Sequence, residues 1–233
     1  LTRMFVISYQ LKEYFIKKGV DPDKIDIINM TVDTERFEGL EKEETERYIA
    51  YCGKATNNKD GVDELIKAFA ITSRTHPDVK LYIIGTPPDA TDESGNLVLT
   101  EKLGVKDRVK FTGIVSSSEM PQILKNAEVL ALDRPHNRQA QYGFPTKLGE
   151  YLLTGNVVVI TRVGDIPLFL DDGVSALLAE PNNPEDFSDK LSWAIDNPEQ
   201  ANLIGLNGRS VAIKSFNSKI EFDKVMTIIN ENK

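Results

Sequence analysis

Residues 142–160, YGFPTKLGEYLLTGNVVVI, constrain the fold more than any other part of this chain. A loop glycine meets Pro145, which suits a first helical position because the amide it lacks would be unpaired there anyway. A helical pattern follows, carrying Thr146, Lys147 and Glu150, and Thr154-Gly155-Asn156 stops it. The apolar run Val157–Ile160 then reads as a strand buried on both faces, as in a parallel sheet. Ligands of such sheets bind outside the carboxyl ends of the strands. The amides after Pro145 point outward with the positive end of the helix dipole, and Lys147 adds a full charge, a combination suited to phosphate. Glu150, one turn further on, suits hydroxyl groups. The alternative is an ordinary solvated helix start, with Lys147 and Glu150 as an i,i+3 surface pair.

The same rhythm runs through the chain. Strand patterns lie at 4–8, 25–28, 48–52, 80–84, 109–112, 128–132, 157–160 and 176–178. Helical patterns lie at 9–18, 63–74, 97–103, 118–126, 184–196, 199–214 and 218–230. Strands alternating with helices predict an α/β fold, a doubly wound parallel sheet flanked by helices. Glu41 to Arg47, charged and poor in apolar residues, is the candidate linker or domain boundary. Trp193 is expected in the core.

Composition narrows the function classes. With 233 residues, 40% hydrophobic and 27% charged, the chain suits one large soluble domain, or one domain plus a piece of another. A net charge of −8 argues against nucleic acid as partner, which requires a basic face. No apolar run approaches the roughly 18 residues of a membrane span, and Leu1–Ile7 reads as a strand-like start rather than a secretory leader. Cys52, the only cysteine, excludes an internal disulfide and fits a reducing, cytoplasmic compartment. Its apolar strand context favours a buried, inert thiol over a nucleophile. The two histidines, His76 and His136, form no metal-ligand spacing.

Two segments are basic against this acidic background. One is Gly53–Lys59 with Lys54 and Lys59; the other is Asp133–Lys147 with Arg134, Arg138 and Lys147. Two basic loops on an acidic protein focus an anionic ligand. Lys54 and Lys59, after a strand and before a helix, can clamp a diphosphate, or are simply exposed loop lysines. Neither the G-x-G-x-x-G fingerprint nor the Walker pattern is present, which demotes a nicotinamide oxidoreductase and a P-loop ATPase. Phe111-Thr-Gly-Ile-Val115 can hold a flat base at a strand end, or merely turn into a loop. His136 either touches a phosphate or acceptor, or is solvated.

These segments carry a resemblance. Gly53-Lys54-x4-Lys59-Asp60-Gly61 is similar to Gly-Arg-x4-Lys-Gly, with lysine for arginine and Asp60 inserted. Phe111-x-Gly113-x-Val115 matches Phe-x-Gly-x-Val. Residues 142–150 look like Glu-Gly-Phe-Gly-x4-Glu, with Tyr142 at the first glutamate. Gly155–Thr161 is similar to Gly-x-Pro-Val-Val-x-Thr, and Asp172-Gly173 through Leu178 to Pro181 to Asp-Gly-x4-Leu-x-x-Pro. Upstream, Val32-Asp33-Thr34-x-x-Phe37 looks like an interdomain signature, with Met30-Thr31 in place of Asn-Gly. In this order the motifs resemble the C-terminal, donor-binding domain of family 4 (group 1) retaining glycosyltransferases of the GT-B fold. Pro145-Thr-Lys-Leu-x-Glu150-Tyr151 resembles a bacterial subgroup that also lacks the first glutamate.

The resemblance implies a Rossmann-like sheet, the C-terminal half of a GT-B fold. Residues 1–40 would be the end of the N-terminal acceptor domain and the interdomain linker. Residues 41–215 would be the donor-binding domain and 216–233 the C-terminal helix, the whole being a fragment of a longer protein. The substrate would be a UDP- or GDP-linked sugar, with no separate cofactor and no required metal. Lys54 and Lys59 would bind the diphosphate and stabilise the leaving group. Thr146 and Lys147 would hold it from the other side, and Glu150 would accept from the ribose. Gly53 and Phe144 belong to the donor-framing motifs, Ile114 and Val115 would flank the base, and Arg134 and Arg138 are further phosphate candidates. Transfer would proceed with retention, together with the N-terminal domain, to an acceptor attached to lipid. The full-length protein would then sit peripherally at the inner face of the cytoplasmic membrane. Two other readings remain open: a catalytically silent nucleotide-sugar-binding or interaction domain, suggested by Tyr142 and the lost Asn-Gly, and a GT-B-like nucleotide-sugar epimerase, disfavoured because its acid/base carboxylates and histidine are not recognisable.

Overall fold

A computed structural model describes residues 3–85 and 95–231. The chain begins with β1 (Met4–Val6), α1 (Tyr9–Lys17) and β2 (Ile25–Ile27), the two strands pairing in parallel as a separate small sheet. The main unit follows: β3 (Tyr48–Gly53), α2 (Asn57–Asp60), α3 (Val62–Thr72), β4 (Lys80–Gly85), α4 (Asn96–Lys102), β5 (Val109–Gly113), α5 (Met120–Asn126) and β6 (Val129–Leu132). It continues with α6 (Arg138–Tyr142), α7 (Lys147–Leu153), β7 (Val157–Thr161), α8 (Ile166–Phe169) and β8 (Leu177–Ala179). Helices α9 (Pro184–Asp196), α10 (Pro198–Ser215) and α11 (Ser218–Glu231) close the chain. The expected elements are present. The additions α2, α6 and α8 have four or five residues each, too few for a helical period to register.

β3 to β8 form one parallel sheet in the order β5-β4-β3-β6-β7-β8, the expected Rossmann-like arrangement. Ile49 on β3 stands between Leu81 on β4 and Val129 on β6. The centre is wholly apolar: Ile49, Ala50, Leu130, Ala131, Val159 and Ile160 are buried. That is why these strands read as continuous apolar runs rather than alternating ones. Helix α3 packs on α9, and α7 packs on α10. Connections leave β3 and β6 toward opposite edges of the sheet, so the crevice at their carboxyl ends is its topological switch point.

The first and last segments meet. Val32 N–H donates to Phe216 O at 2.8 Å, and Ser218 N–H donates to Val32 O at 3.2 Å. Glu221 on α11 accepts from the Asn29 amide at 3.1 Å. Helix α1 is tied to the main unit at its start, where Tyr9 N–H donates to Asp165 Oδ2 and Ser8 Oγ to Tyr142 O, both at 2.5 Å. Among the described residues no helix is long and apolar enough to cross a membrane.

One expectation fails in the core. Trp193 is 39% exposed. The buried stripe of α9 runs through Phe187, Leu191, Ala194 and Ile195, and position 193 falls off that face.

Candidate functional site

The sequence-derived candidates converge on the carboxyl ends of β3, β5 and β6 and the start of α7. β3 ends at Gly53, whose φ is +143°. A side chain there would collide with the Lys147 ammonium, so glycine lets α7 reach over the strand end. Lys147 Nζ lies 2.7 Å from Asp60 Oδ2 and 3.1 Å from the Tyr51 hydroxyl, above whose ring it stands at 4.5 Å. The Tyr51 hydroxyl is itself 2.8 Å from Asp60 Oδ2. Burial lowers the Lys147 pKa, and Asp60 opposes that shift. Burial, helped by the Asp60 charge, raises that of Tyr51.

Lys147 and Glu150 are therefore not an i,i+3 pair. Glu150 Oε1 pairs instead with Arg36 Nη1, from the turn Thr34–Phe37 that follows β2. Arg36, Glu150, Lys147 and Thr146 line a cleft of about 320 Å³ with Thr31, Val32 and Asp33. Thr146 is exposed, and its side chain makes no capping bond to its own helix.

Lys54 and Lys59 are exposed and form no ion pair with a described residue. His136 is exposed on the loop after β6, and Arg138, also exposed, is the first residue of α6. Arg134 is different. It is 3% exposed, and its Nε and Nη1 have no hydrogen-bond partner among the described residues. Burial pulls its pKa down, with Asp60 opposing. On the segments that follow β3, β4 and β6, Thr56 Oγ1, Asp60 Oδ1, Asn96 Oδ1 and Asp133 Oδ2 are also buried without partners among the described residues. Buried polar atoms in native proteins are nearly always satisfied, so a cluster of exceptions calls for an explanation. The Asp133 carboxyl is held well above its ordinary range by burial, then by Glu64 and Asp63.

Three assignments change. The Phe144 ring belongs to an aromatic cluster, 5.3 Å from Phe169 and 5.4 Å from Phe216, so it supports the loop from below instead of facing a ligand. The Lys147 ammonium, expected to hold phosphate, is bound by Asp60. Val115, expected beside the base, packs on the core, whereas its neighbour Ile114 is 88% exposed. Tyr142 lies against Tyr14 at 5.4 Å, so an aromatic contact to α1 occupies the position of the first motif glutamate. Cys52 is half-buried, and burial pushes its thiol up to about 11, which fits an inert group.

Asp60, Tyr51 and Arg36 were not singled out as site residues in the sequence. Asp60 was visible only as an insertion in a motif. A larger cleft of about 420 Å³, lined by Lys42, Arg47, Lys125 and Glu128 among others, opens at the opposite, amino ends of the strands. That is the wrong end of a parallel sheet for its ligand.

Comparison with known proteins places the chain in a family. An MMP alpha-(1->4)-mannosyltransferase of Mycolicibacterium hassiacum is 28% identical over 200 residues, covering 85% of this chain and 46% of that protein. A D-inositol 3-phosphate glycosyltransferase of Segniliparus rotundus is 26% identical over 208 residues, covering 85% of this chain and 44% of that protein. The chain thus spans less than half the length of these curated relatives. Anabaena Alr3699/HepE, solved in complex with UDP and glucose, superposes with a TM-score of 0.85 at 17% identity, over 99% of this chain and 63% of that one. The C-terminal domain of the group 1 glycosyl transferase LpcC from Francisella tularensis superposes with a TM-score of 0.65 at 21% identity, over 80% of this chain and 99% of that domain. The family model "Glycosyl transferases group 1" matches residues 32–211, and the chain belongs to that family.

Proposed function

We propose that this chain binds the nucleoside-diphosphate-sugar donor of a glycosyltransferase and, with an N-terminal domain, transfers the sugar with retention. The observation that carries the reading is the buried guanidinium of Arg134 just after β6, whose Nε and Nη1 have no hydrogen-bond partner among the described residues. An unpaired buried cation is costly unless an anion completes it. A diphosphate would do so, with Lys54 and Lys59 closing from the solvent side and Arg138 within the same loop system. In the transfer, the bond from the anomeric carbon to the diphosphate oxygen breaks and its electron pair stays on the leaving diphosphate. These cations then stabilise the developing charge. The acceptor hydroxyl oxygen forms the new bond to the anomeric carbon and gives its proton to the departing diphosphate oxygen. Glu150 would receive the ribose hydroxyls, and Ile114 would gain cover from the base. UDP is the first donor nucleotide to test, because HepE was solved with UDP and with UDP-glucose.

The N-terminal domain has a surface to meet. Helix α11 carries Phe222, Met226 and Ile229 exposed at 63%, 40% and 41%, and Phe5 on the small sheet is 42% exposed. An exposed apolar stripe of this kind fits a protein interface.

Titration calorimetry with UDP, GDP and ADP tests the donor reading, and binding of none rejects it. The second reading, a silent binding domain, is favoured by Tyr142, whose ring faces Tyr14 where the family motif has a carboxylate. Sugar transfer by the two-domain protein would reject that alternative.

A further inference from the structure

Helix α7 presents Gly149 immediately before Glu150. A Cβ at Gly149 would stand 2.9 Å from Val32 Cβ and collide with the Met30 methyl. Its absence lets the segment 30–32 lie flat on the helix. Phe37, buried in the main core, anchors the far end of the same segment. Between these two fixed points, the turn Thr34–Phe37 carries Arg36 to Glu150. The guanidinium does two things at once: Nη1 pairs with Glu150 Oε1, while Nη2 donates to Ser117 O at 2.9 Å and reaches Ser117 Oγ at 3.4 Å. Ser117 lies on the loop after β5 that begins with Ile114 and Val115. Glu150 Oε2 has no hydrogen-bond partner among the described residues, and Glu150 lines the cleft.

We propose that Arg36 is a positioning residue for the nucleotide's ribose. It holds Oε1 of Glu150, turns Oε2 toward the ribose hydroxyls, and fixes the base-side loop in register with that carboxylate. Only a fork of donors does both, and this is what an arginine supplies and a lysine does not. The proposal rests on the donor-site reading above, since it assigns Arg36, an unspecified position within the Val32–Phe37 signature, a role in binding the same ligand.

Calorimetric titration of this chain with UDP, GDP and their 2′-deoxy and 3′-deoxy forms tests it. The wild-type chain should prefer the ribonucleotide by about tenfold or more, the scale of one hydrogen bond to a charged group. Arg36→Ala should bring that preference close to unity and leave the affinity for inorganic pyrophosphate unchanged. Arg36→Lys should give an intermediate preference, and circular dichroism of each variant checks that the fold is intact. Should Arg36→Ala unfold the chain, Arg36→Lys carries the test, and full ribose preference in it overturns the proposal. Retained preference in Arg36→Ala overturns it, as does tighter nucleotide binding, which would make Arg36 a block. No ribose preference in the wild-type chain also overturns it while leaving the donor reading standing. Binding of neither UDP nor GDP by the wild-type chain instead removes the donor reading and this proposal with it.

Discussion

Lys147 Nζ stands 2.7 Å from Asp60 Oδ2, so the cation at the start of α7 is neutralised from within the protein. The two side chains are 16% and 3% exposed. Removing one partner of a buried pair leaves the other charge uncompensated, at a cost of about 3–5 kcal/mol. Lys147→Met is expected to lose stability near the lower end of that range, because Lys147 retains some solvent contact. Lys147→Met with Asp60→Asn should lose less than the sum of the single changes. Urea unfolding of the four proteins measures this, and simple additivity would mean that the pair is not coupled.

Arg134 is expected to trade stability for binding. Replacing it with methionine removes an unpaired buried charge, so Arg134→Met should raise the stability of the free chain by about 1–3 kcal/mol. The same change should weaken UDP binding about tenfold or more, as for a lost charged hydrogen bond. Thermal unfolding read alongside calorimetry decides it. A variant that is less stable and binds normally would make Arg134 an ordinary core residue.

Asp133 introduces a pH dependence. Its carboxyl titrates higher in the folded chain than its ordinary 3.8, so the folded state keeps the proton to higher pH. The contribution to stability is fully present below 3.8 and is lost as the pH rises through the raised folded value. Asp133→Asn needs no proton, so its stability relative to the wild-type chain should improve from about pH 3 to about pH 8. Urea midpoints at the two pH values give the comparison. A constant difference would show that Asp133 is ionised in the fold.

Gly149→Ala should lift the segment 30–32 from α7. Overpacking of this kind costs about 1–3 kcal/mol, and the displaced turn should carry Arg36 away from Glu150. A loss of ribose preference parallel to that of Arg36→Ala is expected, with pyrophosphate affinity unchanged. Unaltered thermal stability would mean that the contact is soft.

The sheet was legible because its centre is buried on both faces: Tyr48–Cys52 and Val157–Ile160 announce themselves as unbroken apolar runs. The helix start that borders the candidate site was legible too, since Pro145 and Gly155 bracket a helix ahead of one such run. The pairings were not. Asp60 is 87 residues from Lys147, and Arg36 is 114 residues from Glu150. No local period or spacing reports such contacts, which exist only once the sheet is assembled. The same limit misplaced Phe144, whose ring is fixed by Phe216 far along the chain. It misplaced Trp193 as well, because an aromatic residue in a helical pattern does not say which way that helix is turned.

The fastening of Val32 beside Asn217 bears on how the two ends of the chain move. The backbone passes twice between the small β1–β2 unit and the six-stranded sheet, outward at Asp33 and back at Phe216, along adjacent tracks. A single-strand hinge swivels freely; a two-strand waist resists twisting and yields to bending. A shift of residues 3–30 against the sheet would therefore carry α11 along, and it would have to break the bonds of Ser8 to Tyr142 and of Tyr9 to Asp165 as well. Val32 lines the same cleft as Arg36 and Glu150, so a change at this double fastening would reach that cleft directly.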